Sequence, residues 1–162
     1  MNLMKRVEAN DPVALRIVGI QRCKDGDYKS AFEYWTKAAK LGDVESHYEL
    51  SVMYRNGEGV EKDKKKEVYH LEEAAIGGHT GARNNLGCEE LENFRSERAV
   101  KHWIIAANLG HDGSLKTLKE VFKTGLISNE DFAAALRGHQ AAVDATKSPQ
   151  REEAEVAKQL QG

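Results

Sequence analysis

The segment WTKAAKLG at residues 35–42 decides the fold, because the chain repeats its pattern twice more. The related segments are LEEAAIGG at residues 71–78 and WIIAANLG at residues 103–110. In each copy a bulky apolar residue stands three positions before an alanine pair, and a glycine stands three positions after it. This spacing places the apolar residues on one face of a helix and lets the glycine end that helix.

A second signature lies upstream of each copy, as ALRIVG at residues 14–19, SHYELS at 46–51 and ARNNLG at 82–87. These upstream segments are 32 and then 36 residues apart, whereas the closing glycines are 36 and then 32 residues apart. The reversed order indicates a four-residue insertion between the two halves of the middle copy, in the loop NGEGVEKD at residues 56–63. The two signatures independently place the insertion in the same copy, so the sequence predicts an internal repeat of helical hairpins.

Capping signals set the expected helix boundaries. Asp11 before Pro12 predicts an N-cap with proline at the first helical position, and Ser96 is a second candidate N-cap. Ser128 and Asp131 resemble a capping box that opens a helix running to about Lys147, where Pro149 is expected to interrupt it. The other predicted helices are 12–24, 27–41, 44–55, 63–77, 80–93, 96–109 and 112–124.

The predicted organisation is a stack of repeats with a cap. Single hairpins cannot bury both faces, and about three are needed for stability. Residues 1–10 form a helical lead-in, which is equally consistent with the end of a truncated preceding repeat. The repeats follow at 11–42, 43–78 and 79–110, then a degenerate repeat or C-terminal cap at 111–147 and a polar tail at 148–162.

Composition excludes several classes of protein. The 24 basic and 26 acidic residues give a formal charge of −2, which argues against a dedicated nucleic-acid binder. Two cysteines, Cys23 and Cys88, are too few for a disulfide scaffold or a four-cysteine zinc site. The apolar runs are too short to span a bilayer, and the first ten residues lack a secretory signal. The sequence therefore predicts no nucleic-acid or membrane partner and a cytoplasmic location.

The combined pattern resembles the Sel1-like repeat, a relative of the tetratricopeptide repeat. The loop YRNGEGVEKD at residues 54–63 follows the family pattern most closely, and residues 11–42 and 79–110 match at both helices with a shorter loop. The resemblance implies an all-α, right-handed α/α superhelical solenoid whose first helices line a concave face. It also implies an adaptor or scaffold function, including in larger ubiquitin-ligase or signalling proteins.

The concave face is the predicted binding site for a partner peptide or helix. By analogy with related repeats, its outward positions include Cys23, Leu91 and Lys123 as well as five residues chosen as partner-binding: Arg16, Tyr48, Arg55, Asn84 and Lys116. Arginine and tyrosine are enriched in interface hot spots. The four cations favour an acidic peptide or a C-terminal carboxylate. An ordinary solvated helix face explains the same residues equally well.

Metal and catalytic sites are not predicted. His70 and His102 are one repeat apart, as are His79 and His111, so repetition alone explains their spacing. No nucleophile elbow or phosphate-binding loop is present, and Gly57 and Gly59 follow a helix and are flanked by acidic residues. We therefore expect no cofactor and no enzymatic activity, with a β-lactamase-like hydrolase as the least favoured reading.

Two functional hypotheses remain at this point. The first is a monomeric, non-catalytic scaffold that binds a protein on its concave face. The alternative is a self-associating module in which the C-terminal helix packs against a second copy through Phe132, Leu136 and Val143.

Overall fold

A computed structural model describes residues 2–160, and within this range it contains nine α-helices and no β-strand. The predicted all-α class is confirmed. The helices are α1 (Leu3–Glu8), α2 (Pro12–Lys24), α3 (Tyr28–Lys40), α4 (Val44–Asn56), α5 (Lys64–Ile76), α6 (Thr80–Glu92), α7 (Ser96–Asn108), α8 (Asp112–Lys123) and α9 (Asn129–Leu160).

The chain divides into two compact units, residues 1–86 and 87–162, with the boundary inside α6. In the first unit, α2 packs on α3, α3 on α4, and α4 on α5. One core cluster there surrounds Trp35 and Leu50, and a second contains Leu71, Ala82 and Leu86. The indole of Trp35 is 2% exposed, which confirms the prediction that this residue packs in the core.

Side chains at equivalent repeat positions cap the first helices of the hairpins. The Asp11 carboxylate accepts hydrogen bonds from the Val13 and Ala14 amides, and the Asp43 carboxylate accepts one from the Ser46 amide at 2.9 Å. These carboxylates satisfy amides that have no partner within their own helix. The predicted N-cap at Asp11 is therefore confirmed.

Close packing explains the glycine of the upstream signature. A Cβ atom at Gly19 would lie 2.4 Å from Nε1 of the Trp35 indole, and one at Gly87 would lie 2.5 Å from Nε1 of Trp103. No side chain fits in either space without displacing a buried ring. Glycine at these positions is required by the tryptophan of the following helix.

The second unit has an apolar core built from α7, α8 and α9. Trp103, Leu118 and Ala135 are buried in it, and the rings of Phe122 and Phe132 stack with their centroids 4.5 Å apart. The Asp131 amide donates to Ser128 Oγ at 3.0 Å, so the predicted cap at the start of α9 is confirmed.

Two predicted helix ends are wrong. Ser96 is not an N-cap: it is the first residue of α7, and Arg95 occupies the cap position without a side-chain hydrogen bond. Helix α9 continues through Pro149 to Leu160 instead of ending near Lys147. Proline removes one amide donor, but Pro149 is exposed, so water can hydrate the carbonyl left without that donor. The following residues include Glu152, Glu153, Ala154, Ala157 and Lys158, which favour helix.

Candidate functional site

The residues predicted to bind a partner lie on several helices of the two units. Arg16 is on α2, Tyr48 and Arg55 are on α4, and Asn84 is in the part of α6 that belongs to the first unit. Lys116 is exposed on α8 in the second unit. Four of the five residues therefore lie in the first unit, which contains the candidate site.

Helix α4 presents an outward stripe that we call the α4 face, formed by Glu45, Tyr48, Glu49 and Val52. These residues have the spacing i, i+3, i+4, i+7, and none of them is fully buried. The buried side of the helix carries a different stripe with its own helical spacing, Ser46, Leu50, Met53 and Tyr54. The packing of α4 therefore separates this partly exposed stripe from the fully buried one, and Tyr48 also packs along the edge of the core cluster that contains Leu71 and Ala82.

Tyr48 is held at the centre of this face by a ring contact. Its ring stacks on His79 with the centroids 4.2 Å apart and the planes 15° apart. Nδ1 of His79 accepts the Ala82 amide at 2.9 Å, so this histidine caps α6 as Asp43 caps α4. A Cβ atom at Gly81 would lie 3.0 Å from the His79 ring. The tyrosine is thus positioned by a capping residue that sequence reasoning did not assign.

The predicted cations are already engaged by carboxylates of the same chain. Nε of Arg16 lies 3.3 Å from Asp43, and Nε of Arg55 lies 2.6 Å from Oε1 of Glu67. Glu67 is only 2% exposed and also contacts the ammonium of Lys64 at 3.3 Å. In the second unit, Lys123, a cation of the wider predicted face, contacts Glu120 at 2.9 Å. Three of the four cations that favoured an acidic ligand therefore have an internal partner.

The carboxylates of the α4 face are less well compensated. Among the residues that the structure describes, Glu49 forms no ion pair, and Glu45 contacts only Nε2 of His79 at 3.5 Å. Burial raises the pKa of Glu49, the charge of Glu45 raises it further, and His79 opposes this shift. Burial also raises the pKa of the Cys23 thiol, with further contributions from Glu49 and Glu58. The face consequently carries an excess of negative charge.

The histidines have structural partners. His111 caps α8 through Nδ1, which accepts the Ser114 amide at 3.0 Å, so it repeats the role of His79. His47 and His70 form a separate pair, with their Nδ1 atoms 2.9 Å apart. Burial, the neighbouring His47 and the charge of Lys66 lower the pKa of His70 to about 4. In the described part of the chain, no three His, Cys, Asp or Glu side chains are grouped to hold a metal ion.

A helix that spans a bilayer needs about 20 mostly apolar residues, and this requirement applies to the helices within residues 2–160. None of them is long and apolar enough to cross a membrane.

Comparison with known proteins identifies the repeat. The family model for the Sel1 repeat matches residues 19–43, 44–79 and 96–111. Two solved structures share the fold. The first is a Sel1 repeat protein from Oxalobacter formigenes, with a TM-score of 0.74 and 21% identity over 86% of this chain and 61% of that one. The second is the protective antigen c5321 of uropathogenic Escherichia coli, with a TM-score of 0.72 and 25% identity over 88% of this chain and 32% of that one.

Curated relatives are longer than this chain. It is 34% identical to the rat DAP3-binding cell death enhancer 1 and 23% identical to the mouse protein, in each case over 86% of this chain and 35% of the relative. It is 29% identical to the uncharacterized protein NMB1327 of Neisseria meningitidis, over 75% of this chain and 27% of that protein. The chain thus spans about a third of the mammalian relatives. Its repeat signatures, its helical hairpins and the family match together show that the chain contains Sel1 repeats in three segments.

Proposed function

We propose that the chain is a non-catalytic scaffold that binds a segment of a partner protein on the α4 face. The observation that carries this proposal is the position of Tyr48, which is half-buried, fixed by its stack on His79 and flanked by Glu45 and Glu49. A fixed aromatic side chain loses little conformational entropy on binding and offers both apolar area and a hydroxyl group. Such a side chain is suited to anchor a peptide or a helix.

The charge of the face favours a basic partner segment over the acidic one expected from the sequence. Arg16 and Arg55 are neutralised by Asp43 and Glu67, so neither is available as an isolated charge for a ligand carboxylate. Among the described residues Glu49 forms no ion pair, its nearest compensating group is the imidazole of His79, and it lies partly buried. A Lys or Arg side chain of a partner would supply a cation, and complementary charge of this kind gives specificity and faster association.

The relatives support a protein as the class of partner. The rat and mouse proteins are named for binding DAP3, and Sel1 repeats generally serve as scaffolds for protein interactions. This chain covers 35% of those proteins, so its own partner is not identified by their names. A place in a larger ubiquitin-ligase or signalling protein stays a prediction, which the full reading frame around the chain would test.

A scaffold function also agrees with the chemistry of the cysteine beside the face. The pKa of the Cys23 thiol is raised by burial and by Glu49 and Glu58, which favours the protonated form. Nucleophilic catalysis needs the opposite shift, because the thiolate is the reactive species. Cys23 is therefore not activated as a nucleophile, and we propose no enzymatic role.

Selection from a random peptide display library tests the proposal. Peptides enriched on the chain should lose binding to the Tyr48→Ala variant and retain it for Tyr28→Ala, a matched change at a partly exposed tyrosine of α3. Enriched peptides should carry Lys or Arg beside an apolar residue. The absence of any Tyr48-dependent peptide would contradict the proposed site. Enrichment of Tyr48-dependent acidic peptides would contradict the predicted charge of the partner.

The alternative of self-association has less support. Phe132, which it requires on the surface, is partly buried and stacks on Phe122 within the same unit. Leu136 is 37% exposed and remains available. We expect a monomer by sedimentation equilibrium, and a dimer that dissociates in a Leu136→Glu variant would favour the alternative.

A further inference from the structure

His79 connects the α4 face to the start of α6 through three contacts. Its ring stacks on Tyr48 with the centroids 4.2 Å apart, and its Nε2 atom lies 3.5 Å from Oε2 of Glu45. Its Nδ1 atom accepts a hydrogen bond from the Ala82 amide at 2.9 Å. Only 16% of the side chain is exposed. The imidazole is therefore held on one ring face by the anchor tyrosine and at both nitrogens by polar partners.

The Ala82 amide sets the protonation state of this imidazole. An amide N–H can only donate, so Nδ1 carries no hydrogen, and the single ring hydrogen of the neutral histidine lies on Nε2, which faces Glu45. Proton uptake places a hydrogen on Nδ1 as well. Two donors then oppose each other, and the hydrogen bond that caps α6 is lost. In this geometry a charged His79 and the cap on α6 exclude each other.

A positive charge on His79 acts directly on the carboxylates of the α4 face. It would lie beside Glu45, and it is close enough to Glu49 to oppose the raised pKa of that residue. An incoming Lys or Arg side chain of a partner would then meet a like charge at carboxylates that are already compensated. The ring also loses the hydrogen bond that holds it against Tyr48. The charge of the face and the position of its anchor thus depend on one proton.

We propose that proton uptake by His79 releases the basic partner segment, so that the α4 face binds at neutral pH and lets its partner go in mild acid. This inference rests on the proposed function and adds its regulation. Histidine is the side chain whose charge ordinarily changes between about pH 5 and pH 8. Binding of the segment and uptake of the proton weaken each other by the same factor, because linkage is reciprocal.

The charged groups on the elements around His79 come from α4 and α6. Glu45 and Glu49 belong to α4, and Arg83 of α6 donates from Nη2 to the Ala75 carbonyl of α5 at 3.1 Å. Among the described residues, no charged side chain of α5 forms an ion pair with the His79 ring. Glu49 also takes up a proton in acid, which weakens binding of a basic segment in the same direction. A variant that removes only the imidazole separates these two sources of pH dependence.

Peptide binding as a function of pH tests the proposal. The probe is a histidine-free Lys/Arg peptide selected on the chain, and its affinity is measured by fluorescence anisotropy between about pH 8 and about pH 5.5. The affinity for the wild type should fall at least about fivefold, whereas the His79→Asn variant, whose amide oxygen caps α6 without titrating, should lose less than about twofold. The matched control is His111→Asn, which changes the equivalent cap in the second unit and should keep the pH dependence of the wild type.

Nuclear magnetic resonance of the free chain supplies a second readout. The Ala82 amide and the His79 ring should titrate with one midpoint, because acid breaks the hydrogen bond between them. Affinity that is independent of pH, pH dependence that persists in His79→Asn, or an Ala82 amide that does not follow the ring would overturn the proton linkage alone. The absence of any Tyr48-dependent peptide at neutral pH would overturn the proposed function and this inference with it.

Discussion

The hairpins α2–α3 and α4–α5 of the first unit pack the same repeat with different side chains. In α2–α3, Gly19 leaves room for the Trp35 indole, whose Nε1 donates to the carbonyl of Arg16 at 3.3 Å. At the corresponding positions α4–α5 has Ser51 and Leu71, both fully buried. Leu71 is smaller than Trp35, and Ser51 on the facing helix is larger than Gly19. The comparison indicates that a smaller residue on the first helix accompanies a larger one on the second helix of a hairpin.

The largest expected effect on stability comes from adding a side chain at Gly19 while Trp35 is still present. Gly19→Ala places a Cβ atom against the Trp35 ring and should lower the free energy of unfolding by about 3 kcal/mol, the upper part of the usual range for overpacking. Adding Trp35→Leu, which copies the α4–α5 solution, should recover much of that loss. Chemical denaturation of the two single variants and the double variant measures the coupling.

The matched control for this cycle is in the second unit. Gly87→Ala should be destabilising to a similar degree, because Trp103 lies as close to Gly87 as Trp35 does to Gly19. Additive effects of Gly19→Ala and Trp35→Leu would show that the two positions do not share one space, and would contradict the comparison.

An intermediate effect is expected at the caps. α2 and α4 begin at aspartates, whereas His79 and His111 occupy the same repeat position for α6 and α8. His79→Ala should lower the unfolding free energy by about 1 kcal/mol, while His79→Asp should retain most of the capping, because a carboxylate also accepts the amide. Thermal unfolding of both variants checks this. Equal destabilisation by Ala and Asp would show that the imidazole acts through another contact, such as its stack on Tyr48.

These caps illustrate what the sequence could predict. The positions of α2 to α8, the core role of Trp35 and Trp103, and the closing glycines follow from local spacing, so they were predicted correctly. Gly42, for example, has φ +87°, in the left-handed region where glycine is favoured. The equal spacing of the histidines showed that they belong to the repeat. Their capping hydrogen bonds could not be predicted from spacing, because these bonds depend on side-chain orientation.

The candidate site was harder to predict, because its character depends on contacts between distant residues. Arg16 and Asp43 are 27 positions apart, and nothing in the spacing shows that they form an ion pair. If the ion pairs of Arg16 and Arg55 are ignored, the face of the first helices is expected to carry positive charge. When the pairs are included, the carboxylates of the α4 face determine its charge. The His47–His70 pair was missed for the same reason, since one histidine comes from each helix of the hairpin. Helix α9 was predicted too short because Pro149 was given more weight than its exposed surroundings.

The smallest expected effect concerns Glu49, which stands where the first repeat has the apolar Ile17. Because the pKa of Glu49 is raised in the folded chain, its contribution to stability is present at low pH and is lost as pH rises through the folded pKa. Glu49→Gln should therefore raise the melting temperature slightly at pH 7. The difference from wild type should shrink below about pH 4, where the carboxyl group is protonated in both states. Stabilisation that persists unchanged at pH 3 would contradict an electrostatic origin.

The α4 face is proposed to bind a basic segment through Tyr48, Glu45 and Glu49. The most direct measurement is a fluorescence anisotropy titration of a selected peptide and its charge-reversed version against wild type and the Glu45→Lys/Glu49→Lys variant. We predict that the variant weakens binding of the basic peptide at least about tenfold and gains affinity for the acidic one. The affinity of the Glu45→Gln/Glu49→Gln variant for the basic peptide should lie between the affinities of the wild type and the lysine variant. Equal affinity of the basic peptide for all three proteins, with each shown to be folded by circular dichroism, would show that Glu45 and Glu49 do not bind the segment.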